Sequence, residues 1–168
     1  AYKTCLEMLQ QRNYEITEKD DPERIVATKP DGKQMIVFFT EVPKFNVKNA
    51  QVYISTMNDL NILHSIIVYK DSVTAFTRKA VAKSVEMKLE LFAERDLQYN
   101  ITKHRLQPTF EKLPKKEADI FKQKFGIKFG VMKSDDPIAR FYNYNKGDVI
   151  RVTRGVVSKF VTYRLVRG

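Results

Sequence analysis

The chain has 168 residues, of which 43% are hydrophobic, and it carries a formal net charge of +10. This apolar fraction is sufficient for a packed core and excludes a chain that is disordered throughout, while no apolar run reaches the ~20 residues of a membrane-spanning helix. The single cysteine, Cys5, excludes both an intrachain disulfide and a thiolate zinc site, and it favours a reducing compartment inside a cell.

The first hundred residues alternate helical patterns with short apolar runs. Apolar residues at helical spacing predict three helices, the last with Thr74 as its N-cap, over residues 1–12, 46–60 and 74–85. Continuous apolar runs rich in branched and aromatic side chains predict strands at residues 25–27, 35–39, 65–69 and 87–92. A turn is expected at residues 71–72. Helices that alternate with buried strands indicate an α/β layer.

The second half of the chain has a different pattern. Residues 100–108 are polar and suit a junction, so we divide the chain into residues 1–100 and 101–168. Proline, acidic and glycine positions predict a helix with Pro114 in its first turn, running to about Phe125, and a short helix that opens at residues 135–137. Two alternating strands, expected to pair as a hairpin, follow at residues 149–154 and 160–165.

Motifs for catalysis or for cofactor binding are not recognisable. There is no phosphate-binding glycine loop, nucleophile elbow or HExxH motif, and we expect neither a metal nor a cofactor. A metal-dependent nuclease is the best enzymatic alternative, with Asp31 and Glu86 as metal ligands and Lys88 as a charge stabiliser. These pieces lie far apart in sequence, and an aspartate in a glycine-containing turn is ordinarily structural.

Basic residues suggest a binding function. The helix that begins near Thr74 carries Arg78, Lys79 and Lys83, and a helix N-terminus presents free N–H groups. This segment is therefore a candidate for sequence-independent contact with the phosphates of duplex DNA. The alternative is a solvated helix face without a partner.

Charge is concentrated in the C-terminal part. Residues 106–168 hold 14 basic and 6 acidic side chains, whereas residues 1–105 hold 16 and 14. Arg151 and Arg164 lie in alternating strands, and we expect them to point outwards from one sheet face. With Arg140 and Arg154, they are candidates for docking on an acidic protein surface. Cross-strand pairing with local carboxylates is the alternative.

Five collinear segments resemble a known family. They are residues 35–44 (MIVFFTEVPK), 100–108 (NITKHRLQP), 136–142 (DPIARFY), 146–154 (KGDVIRVTR) and 161–166 (VTYRLV). In this order they resemble the fifth subunit of eukaryotic RNA polymerases. The stretch after about residue 98 is also similar to one of the small subunits of archaeal RNA polymerases.

The resemblance implies an α+β chain with two domains. The N-terminal one would be a jaw domain with the layout of a nuclease but without its catalysis, beside downstream DNA. The C-terminal one would be a small mixed α/β assembly domain that docks on the largest polymerase subunit, and the matching motifs add Asp136, Pro137 and Tyr163 to its interface. The chain is accordingly expected to be a non-catalytic subunit of a multisubunit DNA-directed RNA polymerase. The first alternative is a free-standing nucleic-acid-binding module, and the metal-dependent nuclease is the less favoured one.

Two segments depart from the cellular pattern. Residues 74–77 read Thr-Ala-Phe-Thr where the family usually has Thr-Pro-Ser-Ala, and the loop at residues 155–159 is shorter than usual. Such divergence resembles homologues from large DNA viruses of the African swine fever type, which transcribe in the cytoplasm. The expected location is then host cytoplasm and virion for a viral chain, or the nucleus for a cellular one.

Overall fold

In a computed structural model that describes residues 1–168, the chain divides into two units, Ala1–Tyr99 and Asn100–Gly168. None of its helices combines the length and the apolar character needed to cross a bilayer. Both units mix helices with strands, so the α+β composition expected from the sequence is confirmed.

The first unit contains three helices and seven strands. The helices are α1 (Tyr2–Gln11), α2 (Val47–Leu60) and α3 (Ala75–Lys83). The strands are β1 (Glu15–Glu18), β2 (Arg24–Thr28), β3 (Gln34–Phe39), β4 (Lys44–Phe45), β5 (His64–Tyr69), β6 (Ser72–Val73) and β7 (Lys88–Ala93). A short 3₁₀ helix, Glu94–Leu97, follows β7.

Five of these strands form one mixed sheet in the order β1-β2-β3-β5-β7. β3, β5 and β7 run parallel, while β1 and β2 are antiparallel to their neighbours. One sheet face packs on α2 through Phe38, Ile67 and Met57. The opposite face meets α1, where the rings of Tyr2 and Phe39 lie 5.3 Å apart.

All three predicted helices and all four predicted strands of this unit are present. The strands that the sequence did not predict are β1, β4 and β6. β1 is Glu-Ile-Thr-Glu and mostly exposed, and β4 and β6 are two-residue strands that pair only with each other. Ser72 thus belongs to a strand and not to the predicted turn.

The second unit is a four-stranded sheet with a helix on each face. Its elements are β8 (Thr109–Lys112), α4 (Lys115–Phe125), β9 (Gly130–Lys133), α5 (Pro137–Tyr142), β10 (Val149–Arg154) and β11 (Phe160–Arg167). The strand order is β8-β10-β11-β9, with β11 and β9 parallel and the other pairs antiparallel. α5 packs on the face that carries Ile150 and Val152, and α4 packs on the face that carries Val149 and Leu165.

Both helices and the β10–β11 hairpin were predicted and are present, whereas β8 and β9 were missed. Asp136 caps α5 because its Oδ1 accepts a hydrogen bond from the backbone N–H of Ile138 at 2.9 Å. Pro137 is the first helical residue, as predicted. Pro114 lies one position earlier than expected, at the N-cap of α4.

The expectation that Arg151 and Arg164 share a sheet face is wrong. In the hairpin, Arg151 is paired with Tyr163 and Arg164 with Ile150. Directly paired residues point to the same face and neighbours along a strand point to opposite faces. Arg164 therefore lies on the α5 face and Arg151 on the α4 face.

Candidate nucleic-acid and protein interfaces

The N-terminus of α3 is built by a threonine cap. Thr74 has extended backbone angles, and its Oγ1 accepts a hydrogen bond from the backbone N–H of Thr77 at 3.2 Å. The two threonine hydroxyl oxygens also lie 2.6 Å apart, and Thr77 is fully buried. The hydroxyl of Thr74 thus accepts from the N–H of Thr77, while the N–H groups of Ala75 and Phe76 have no carbonyl partner within the helix.

The basic residues of α3 differ in how they are held. Arg78 donates from Nη2 to the Tyr69 hydroxyl at 3.0 Å, and its guanidinium carbon lies 5.8 Å from the centre of that ring. Lys79 and Lys83 are exposed and lie four residues apart, on the side of the helix opposite the buried Thr77. We call Thr74, Arg78, Lys79 and Lys83 the α3 surface. It holds the four residues that the sequence predicted for DNA contact on one short helix.

An exposed aromatic residue stands beside the α3 surface. Phe76 is 72% exposed in the first turn of the helix, at one of the positions that depart from the family pattern. Its ring is not part of the core cluster that α3 helps to cover. At position 76 the departure therefore adds an exposed aromatic ring to the surface, whereas Thr77, another departing position, is buried beside the cap.

A buried ionic cluster in the same unit was not predicted. Arg12 makes two hydrogen bonds of 2.9 Å to the carboxylate of Glu90, and His64 Nε2 lies 2.6 Å from the same carboxylate. Burial alone would raise the pKa of Glu90, but the Arg12 charge and the hydrogen bonds from His64 and Arg12 lower it to about 2. The cluster ties the end of α1 to β5 and β7, so its role is to hold the sheet to that helix.

The second unit contains a pocket of about 410 Å³ on the α5 face of its sheet. We call it the α5 pocket. It is lined by Ile101, Leu106, Gln107, Pro108, Phe110, Met132, Asp136, Pro137, Ile138, Arg154 and Arg164. Four residues that the sequence proposed for the subunit interface, Asp136, Pro137, Arg154 and Arg164, are thus brought together in one place.

The other three proposed interface residues lie elsewhere. Arg151 faces α4, with its Nε 3.7 Å from the Glu111 carboxylate. Tyr163 is half-buried on the same face, and its ring centre lies 4.5 Å from that of Phe121 in α4. Arg140 is half-buried within α5 and does not line the pocket. Arg151 therefore follows the cross-strand alternative, and Tyr163 is a packing residue of the α4 face.

Sequence reasoning missed the apolar part of the pocket. Leu106 is 76% exposed although it is a large apolar residue, and Phe110 alternates with polar neighbours in β8. A leucine within the polar junction of residues 100–108 was the available signal, since an exposed apolar residue often marks a contact surface.

The nuclease alternative finds no geometric support. No group of three acidic, histidine or cysteine side chains is arranged to hold a metal ion. The Oδ1 atom of Asp31 accepts a hydrogen bond from the backbone N–H of Lys33 at 3.0 Å, which is the structural role of an aspartate in a turn. Glu86 is exposed ahead of β7, and β5 separates that strand from β3.

Comparison with known proteins gives consistent relatives over the whole chain. A family model described as "RNA polymerase Rpb5, C-terminal domain" matches residues 99–166. The chain is 32% identical to "DNA-directed RNA polymerases I, II, and III subunit rpabc1" of Dictyostelium discoideum, over 97% of this chain and 93% of the relative. It is 31% identical to "Putative DNA-directed RNA polymerase subunit 454R" of Invertebrate iridescent virus 6, over 99% of this chain and 98% of the relative.

A plant relative extends the comparison. The chain is 30% identical to "DNA-directed RNA polymerases IV and V subunit 5B" of Arabidopsis thaliana, over 99% of this chain and 88% of the relative. These similarities cover the α3 surface and the α5 pocket alike, so both belong to the part of the chain that the relatives share.

Proposed function

Because this chain belongs to the Rpb5 family of DNA-directed RNA polymerase subunits, we propose a role for each of its two units within a polymerase. The chain is a non-catalytic subunit of a multisubunit RNA polymerase and partners with other subunits of that enzyme. The observation that carries this conclusion is the 32% identity with a polymerase subunit over 97% of the chain.

We propose that the first unit forms part of the jaw around downstream DNA. The α3 surface supports this role because it combines a capped helix start with exposed lysines, which bind phosphates without reading sequence. Each such contact contributes little affinity alone and is weakened by salt. Lys79 and Lys83 are the strongest candidates, since Arg78 already donates to Tyr69.

We propose that the second unit docks on the largest polymerase subunit. Its support is the match of the family model to residues 99–166 and the clustering of Asp136, Pro137, Arg154 and Arg164 in the α5 pocket. A positively charged surface does not by itself distinguish nucleic acid from acidic protein, and we favour protein because the relatives are subunits of multisubunit polymerases.

The proposed location follows the proposed role. A viral polymerase that transcribes in the cytoplasm would carry this subunit in host cytoplasm and in the virion, and a cellular polymerase would carry it in the nucleus. The chain is about equally similar to an iridescent virus protein and to a Dictyostelium protein, so a viral origin is supported only by the divergent residues 74–77.

The DNA contact is tested in the assembled polymerase with a Lys79→Ala/Lys83→Ala variant. Each lost phosphate contact is expected to reduce the slope of log affinity against log salt concentration by about 0.9. Loss of both lysines is therefore expected to reduce the slope for downstream DNA by up to about 2. A Lys3→Ala/Lys33→Ala variant is the matched control, because it removes two exposed charges elsewhere in the same unit. Equal slopes for wild type and both variants would refute the contact.

Membership of the complex is tested by co-purification. The chain is expected to elute with a large assembly whose mass spectrum contains the largest polymerase subunit. Tight binding of duplex DNA by the isolated chain at physiological salt would instead favour a free-standing module. Magnesium-dependent DNA cleavage that is lost on changing Asp31 or Glu86 would favour the nuclease.

A further inference from the structure

We propose that the α5 pocket receives a segment of the largest polymerase subunit that pairs an apolar side chain with a carboxylate. The apolar side chain enters the hollow between β8 and α5, and the carboxylate binds Arg154 and Arg164 at its edge. This inference rests on the proposed docking function and specifies the chemistry of the segment that docks.

The charge of the pocket is not compensated within the chain. Arg154 and Arg164 have no carboxylate within the 4.0 Å of an ion pair, whereas Arg151 on the other sheet face has Glu111. Asp136 is the only acidic residue in the lining, and its Oδ1 already caps α5. The pocket therefore carries a net positive charge, from two guanidinium groups and one carboxylate. A guanidinium group can bind a further carboxylate through two parallel hydrogen bonds.

The fold places both arginines on one face. Arg154 is paired with Phe160 and Arg164 with Ile150, so the alternation along β10 and β11 directs both side chains to the α5 side. Gly130 is the neighbour of Arg164 on β9, and a Cβ atom there would lie 3.0 Å from the backbone oxygen of Tyr163 and 3.4 Å from the Arg164 Cγ. The absence of a side chain at Gly130 thus lets β9 lie close to the backbone of β11 beside Arg164.

The remainder of the lining is apolar except for Gln107, and it favours a peptide over nucleic acid. Met132 and Ile138 form its buried floor, while Leu106, which is 76% exposed, stands at its margin. A volume of about 410 Å³ lies in the range of sites that hold small organic groups, with room for a large side chain and its neighbours. A phosphate backbone would satisfy the arginines but would leave this apolar surface without a partner.

The test uses the full chain co-expressed with the largest subunit and compares retention at increasing salt. Arg154→Glu/Arg164→Glu is expected to weaken retention by at least about thirtyfold, since truncation of one member of a buried charge pair already costs that much. Leu106→Asp is expected to weaken it as well. Lys115→Glu/Lys116→Glu is the matched control, because it makes the same change of charge at exposed positions of α4 outside the pocket.

A photo-crosslinker at position 106 identifies the occupant. We expect an adduct with a peptide of the largest subunit that contains Asp or Glu within a few residues of an apolar side chain. Replacing that acid by Lys is expected to restore retention of the Arg154→Glu/Arg164→Glu variant. Rescue by opposite charge requires direct pairing, and a merely structural effect of the variant would not produce it.

The outcomes separate the two proposals. If the wild type is retained and the pocket variants are retained equally, the pocket inference is wrong while binding of the chain to the largest subunit stands. If the wild type itself is not retained, both are wrong. An adduct with nucleic acid instead of peptide, in the assembled polymerase, would also overturn the pocket inference.

Discussion

The buried cluster of Arg12, Glu90 and His64 makes a sharp prediction about stability. The Arg12 side chain is only 4% exposed and that of Glu90 only 12%, and two hydrogen bonds of 2.9 Å join them. Arg12→Met keeps most of the apolar volume but leaves the carboxylate with His64 alone. Breaking a buried pair in this way is expected to destabilise the first unit by roughly 3–5 kcal/mol, because a buried charge loses its compensation.

The loss of stability in the Arg12→Met variant is expected to depend on pH. Burial alone would raise the pKa of Glu90, but Arg12 and His64 lower it from 4.5 to about 2 in the folded chain. Glu90 therefore contributes stability that is fully present above pH 4.5 and is lost as the pH falls towards 2. Since one pKa unit corresponds to about 1.4 kcal/mol, this contribution is about 3 kcal/mol at neutral pH. Arg12→Met should remove it, so the variant and the wild type should converge in stability as the pH approaches 2.

Amide hydrogen exchange of β5 and β7 measures this free energy in the intact chain. Arg12→Met is expected to reduce protection strongly at pH 7, and adding Glu90→Gln is expected to recover part of the loss by removing the uncompensated charge. Arg24→Met is the control, because Arg24 pairs with Glu18 and Asp21 at the surface and should cost no more than about 1 kcal/mol. Equal losses in Arg12→Met and Arg24→Met would refute the reasoning.

Two further predictions concern the cap of α3 and the cysteine. Thr74→Ala is expected to destabilise the start of α3 by about 1 kcal/mol, seen as faster exchange of the Thr77 amide, while Thr74→Ser keeps the cap; equal exchange in both variants would contradict the cap. Burial raises the pKa of Cys5 to about 12, so iodoacetamide at pH 8 is expected to leave the folded chain unmodified and to label it in urea. Labelling of the folded chain at the rate of an exposed thiol would contradict this.

Helices and buried strands were predictable because their signal is local. Val47, Ala50 and Met57 repeat at helical spacing, and the run 35–39 is apolar throughout, so burial on one side of α2 and on both sides of β3 follows from the order of residues. The same holds for the Asp136 cap and Pro137, whose effect extends over one helical turn. The family resemblance also lay in contiguous motifs. For these features the residue order alone was sufficient.

Pairing partners and facing residues were decided only by the tertiary structure. β1, β8 and β9 are four-residue strands with few buried side chains, and each becomes a strand because a neighbour supplies its hydrogen bonds. Register determined that Arg151 and Arg164 point to opposite faces. In the sequence, Arg12 is an ordinary polar residue at the end of a predicted helix. Only the fold brings Glu90, 78 positions away, beside it. The α5 pocket likewise joins residues from Ile101 to Arg164, and no local pattern encodes which distant side chains will meet.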